Sequence, residues 1–91
     1  MNPSIQIIRG FRLEGHVEYR EGNYFANFGF EVGMDDSCGI GAPSGMNWDL
    51  KFPWLAGRRE EVLTAIGREF LHHEFPSHKL RITEHFLWII P

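Results

Sequence analysis

The sequence predicts an α+β domain: a mostly antiparallel sheet of three to four strands with one helix packed on one face, in the order β-β-(β)-α-β. Three observations carry that prediction. Apolar residues fall on odd positions from Ile5 to Tyr19 and on even positions from Tyr24 to Val32. A stripe at helical spacing runs through Val62, Leu63, Ile66 and Phe70. Alternation then returns between Leu80 and Ile90.

The first third reads as one long hairpin. Ile5, Ile7, Phe11, Leu13, Gly15, Val17 and Tyr19 share a face, and the apolar set after Glu21-Gly22 is Tyr24, Ala26, Phe28, Phe30 and Val32. Such a parity switch is what a tight turn at Glu21-Gly22 requires. The expected register opposes Arg20 to Asn23, Tyr19 to Tyr24, Val17 to Ala26, Leu13 to Phe30 and Phe11 to Val32. On the other face it sets Arg12 against Glu31 and His16 against Asn27.

Gly33 to Gly45 carries four glycines, Pro43, Asp35 and Asp36, and is expected to be a loop. Asn47 to Phe52 is expected to be a short third strand, closed by Pro53. The helix is expected from Arg58 to Glu74, ended by Pro76. The last strand, His78 to Ile90, is read with Leu80, Ile82, Phe86, Trp88 and Ile90 inward and Leu87 and Ile89 on the opposite face. Glu84 interrupts the inward set, which suggests a bulge. This strand is apolar on both sides, as one covered twice would be.

With 91 residues the chain is expected to form a single domain, residues 1–91. The net charge of −3 disfavours a nucleic-acid backbone as the main ligand. One cysteine, Cys38, allows no internal disulfide, which fits a reducing compartment. No apolar run approaches the ~20 residues of a membrane span, and no signal-peptide pattern is visible at Met1-Asn2-Pro3-Ser4. The expected setting is cytoplasmic, away from membranes.

No motif names a reaction. His72, His73 and His78 are the candidate metal ligands, but adjacent positions on a helix point about 100° apart and the spacing is not His-Glu-x-x-His. No metal or cofactor is expected. The Asp35–Gly45 segment lacks the spacing of a phosphate-cradling loop, although with His16 and nearby aromatics it is an alternative small-ligand or enzymatic site. Nothing local activates Cys38 or Ser44 as a nucleophile. Arg58 and Arg59 open the helix, where the macrodipole disfavours cations, so they are candidate anion contacts and, with Arg68, a nucleic-acid alternative.

Thirteen aromatic side chains exceed what one sheet layer and one helix hide. The reading is therefore a non-catalytic protein-binding module, of the interaction or inhibitor/immunity type, that self-associates as a homodimer. The expected contact residues are Phe25, Trp48, Trp54, Leu87 and Ile89.

Overall fold

We describe residues 3–91 of the chain in a computed structural model. The strands are β1 (Ser4–Arg9), β2 (Glu14–Glu21), β3 (Tyr24–Val32), β4 (Cys38–Gly41), β5 (Lys79–Ile82) and β6 (Phe86–Ile90). Two α-helices, α1 (Gly45–Lys51) and α2 (Arg59–His73), flank a 3-10 turn at Pro53–Leu55. The six strands form one sheet in the order β1-β2-β3-β4-β6-β5, antiparallel at every pairing. The fold is α+β, but six strands and two α-helices replace the expected three to four strands and single helix.

Each discrepancy has a physical cause. Gly10 to Leu13 is a turn, closed by Gly10 N–H donating to the Glu14 carbonyl and by Arg12 at φ 60°. Arg9 lies opposite Gly15, so β1 and β2 keep the same inward parity, and the turn leaves no mark on the alternation. Phe11 and Leu13 sit in this turn, exposed rather than inward. The β2–β3 turn is Gly22-Asn23, with Gly22 at φ 60°, and the register is shifted by two from the expected one: Tyr19 opposes Ala26 and Val17 opposes Phe28. A shift of two preserves the faces, so the inward set survives.

Cys38–Gly41 is a strand despite its glycines. Cys38 and Ile40 point into the core at a spacing of two, while Gly39 and Gly41 occupy the outward positions. Asn47–Phe52, expected as a strand, is mostly helix α1, because Trp48 and Phe52 stand one turn apart and both pack on Phe28. The last segment is a hairpin: Thr83 N–H donates to the Phe86 carbonyl, and Ile82 lies opposite Leu87. That odd pairing sum reverses parity, so Leu87 and Ile89 face inward while Phe86, Trp88 and Ile90 face outward.

Both helices lie on one face of the sheet. Val62, Leu63, Ile66 and Phe70 of α2 are fully buried, with Phe70 edge-on to Phe30 at 5.1 Å. Gly67 lets Leu80 approach; a Cβ there would stand 2.7 Å from the Leu80 methyls. Gly15 is equally constrained, because a Cβ would meet the Ile8 carbonyl at 2.4 Å and the Phe30 ring at 2.5 Å. No helix among the described residues is long and apolar enough to cross a membrane.

The fold also accounts for Cys38. It is fully buried, and burial pushes its thiol up to about 11. The thiolate is the reactive form. Thiol reagents at pH 7–8 are therefore expected to label Cys38 only after denaturation. Rapid labelling of the native protein would show that β4 opens readily.

Candidate functional site

Among the described residues, the opposite face of the sheet carries no helix. On it, β6 presents Phe86, Trp88 and Ile90, with the Phe86 and Trp88 rings 4.9 Å apart. Phe86 is 40% exposed and Trp88 half-buried. Trp88 lies against Gly39, where a Cβ would meet its ring at 2.7 Å. Beside this ridge, Gly29 on β3 and Gly41 on β4 have no side chain, and a Cβ at Gly29 would touch nothing within 4 Å. The result is a depression of about 860 Å³, floored by glycines and bordered by Phe86, Trp88, Glu14, Glu31, Asp35 and Ser37.

Its charges are segregated. Glu14 and Glu31 are direct cross-strand neighbours, an arrangement that like charges destabilise. Neither forms an ion pair among the described residues. Arg81 lies opposite Trp88 and Lys79 opposite Ile90, on the far edge strand β5. Asp35 accepts from the Ser37 N–H at 3.1 Å and hydroxyl at 3.0 Å, which holds its carboxyl below the usual range.

Of the expected contact residues, only Phe25 is on this surface, 53% exposed with the Arg20 guanidinium over its ring. Trp48, Leu87 and Ile89 are fully buried among core side chains, so they offer nothing to a partner in this fold. Trp48 stacks on Phe28 and donates its indole N–H to the Leu55 carbonyl at 2.9 Å. Trp54 is partly buried and stacks against Tyr19 and Tyr24, stapling the 3-10 turn to the β2–β3 hairpin. The outward partners of Leu87 and Ile89 on β6 take their place at the surface.

The other candidates are dispersed. Arg58 donates to both Glu21 oxygens, at 3.0 and 2.7 Å, and to Glu61. Arg59 donates to the carbonyls of Pro43, Thr83 and Glu84. Both arginines of the proposed anion contact are thus engaged within the chain. His73 meets Glu69 at 2.9 Å on the exposed end of α2, with the His72 ring edge-on to it. His78 turns away to donate from Nε2 to the Asp36 carbonyl at 2.9 Å. Among the described residues no three His, Cys, Asp or Glu side chains are grouped to hold a metal ion.

The Glu21 cluster sets a pH dependence. Arg58, and then the Tyr19 hydroxyl at 2.5 Å, stabilise the carboxylate and hold its pKa below glutamate's ordinary 4.5. A depressed pKa contributes stability that is fully present above the ordinary value and lost as the pH falls through the folded one. Glu21→Gln is expected to cost about 1 kcal/mol near neutrality. The gap between wild type and variant should close as the pH falls below 4.5. Parallel pH–stability curves would contradict this.

The signals for this site lie in the sequence at Thr83-Glu84-His85, a polar triplet that marks a turn, and in glycine at every second position of Gly39-Ile40-Gly41. The chain matches no protein-family model, no curated protein and no solved structure.

Proposed function

We propose that the chain is a non-catalytic protein-binding module whose contact surface is the helix-free face of its sheet. The observation that carries this reading is the row of Phe86, Trp88 and Ile90 on a strand whose other face is already buried. An aromatic ridge beside an open glycine floor offers large apolar area to desolvate, and rigid rings lose little entropy on binding. Phe25 extends the apolar surface along β3.

The test is site-specific photo-crosslinking in the cells that make the protein. A benzophenone side chain at Phe86 is expected to give discrete adducts, and one at Leu50, exposed on the helix side, is not. Absence of adducts from Phe86, or equal yields from both positions, would sink the proposal.

A second reading is favoured by the depression itself. Its 860 Å³ falls within the ~300–1,000 Å³ of small-molecule pockets. It includes part of the Asp35–Gly45 segment, and His16 is the cross-strand neighbour of Gly29. A small ligand would raise the melting temperature in proportion to its occupancy, and Gly29→Leu would abolish that shift.

A further inference from the structure

We infer that the occupant of this face is a second copy of the chain, docked about a two-fold axis that runs along the strands over β4. The inference rests on the protein-binding reading above and names its partner. It is carried by the order of side chains across the sheet. Cross-strand pairing places Glu14, Glu31, Gly39, Trp88 and Arg81 in one lateral row, on β2, β3, β4, β6 and β5. Read across, the row is carboxylate, carboxylate, glycine, aromatic, guanidinium, with Gly39 at its centre.

A two-fold axis along the strand direction, through the β4 position, exchanges the two halves of this row. Arg81 of each copy then faces Glu14 of the other, and Trp88 faces Glu31. The parallel row one step along the strands contains His16, Gly29 and Phe86, with Gly41 beside Gly29. The same rotation seats each Phe86 over the open backbone of the other copy's Gly29. Every contact occurs twice, as an isologous interface requires.

The chemistry of each pairing is complementary. The uncompensated Glu14/Glu31 pair gains a cation. An indole N–H donates only and a carboxylate accepts only, so Trp88 and Glu31 can share a hydrogen bond. An axis across the strands would instead superpose acid on acid. Rotation along the strands also keeps the two sheets nearly aligned, the commonest geometry of face-to-face sheets, about 10 Å apart. A molecule of 34 × 24 × 23 Å has faces large enough to supply the ~800 Å² per partner of a standard interface.

Sedimentation velocity on the purified chain, over a concentration series, tests this. Wild type is expected to dimerise at ~10 μM or below, since interfaces of this size bind at micromolar affinity or tighter. Glu14→Arg and Arg81→Glu are each expected to weaken the dimer at least about tenfold, and the double exchange to restore it to within about threefold. Gly29→Leu, which the monomer has room for, is expected to abolish it while leaving the circular dichroism spectrum and melting of the monomer unchanged.

A wild-type monomer at ~100 μM overturns the inference, as does a dimer indifferent to Gly29→Leu and to the charge exchange. If the purified chain is a monomer while Phe86 crosslinks in cells to a product of another mass, the second copy falls and the protein-binding reading stands. Loss of both signals removes both.

Discussion

Trp48→Ala is expected to lower the stability of the fold by about 3–5 kcal/mol, the range for emptying a large buried aromatic site. The indole is fully buried, stacked on Phe28 with centroids 5.6 Å apart and edge-on to Phe52 at 5.0 Å. Its removal leaves a cavity and takes away the indole N–H bond to the Leu55 carbonyl, which keeps only its bond from the Arg58 N–H at 3.0 Å. Domains of this size have only about 5–15 kcal/mol in hand, so the variant would approach the edge of folding. Trp48→Phe keeps most of the volume and provides a measurable intermediate. Denaturant unfolding reads both: the midpoint should fall with little change in slope. A loss below about 1 kcal/mol would mean that Trp48 is not the core residue described, and its place on a contact surface would return.

Arg59→Ala is the second large expected effect, about 3 kcal/mol. Arg59 opens α2 but reaches away from its axis: Nε donates to the Pro43 carbonyl at 2.7 Å, and Nη2 to the Thr83 and Glu84 carbonyls, both at 2.8 Å. One guanidinium therefore ties the start of α2 to the β4–α1 connection and to the β5–β6 turn. Burial pulls its pKa below arginine's ordinary value, partly opposed by the Glu84 charge, so its solvation is replaced by these three carbonyls. Charge-assisted bonds to a planar fork are directional, and a lysine ammonium cannot reproduce the fork. Arg59→Lys is expected to recover less than half of the loss. Full recovery by lysine would show that charge alone, without geometry, holds the two loops.

The same residue shows why function was harder to read than fold. Arg59 in sequence is a cation at a helix start, locally unfavourable and suggestive of a bound anion. Its partners lie 16, 24 and 25 residues away, and only the fold brings their carbonyls together. The alternating pattern likewise exposed the faces of β2 and β3 but not the turns. A pairing such as Arg9 with Gly15 preserves parity and hides a reversal inside a continuous pattern. At β6 both parities are apolar, so the reversal after Ile82 could not be seen from alternation. It put the wrong half of the strand at the surface, Leu87 and Ile89 instead of Phe86, Trp88 and Ile90. β6 is apolar on both sides, and the residues on the side away from the helices are Phe86, Trp88 and Ile90.

Glycine misled in a second way. Gly39 and Gly41 look like loop residues in sequence, yet they are the outward positions of β4, the fourth strand of the six-stranded sheet. There the missing side chains leave room for Trp88 over Gly39 and open the floor of the depression. The aromatic excess noted in the composition is thereby divided. Phe28, Phe30, Phe52, Phe70, Tyr19 and Trp48 form the core, while Phe25, Phe86 and Trp88 are left on the helix-free face.

The most direct measurement is hydroxyl-radical footprinting of the protein in the cells that make it, compared with the purified chain at high dilution. A contact surface on the helix-free face predicts that Phe86, Trp88 and Phe25 are protected in the cell, while Met46, 79% exposed on the helix side, is labelled equally in both. Equal labelling of Phe86 and Trp88 under the two conditions would contradict it.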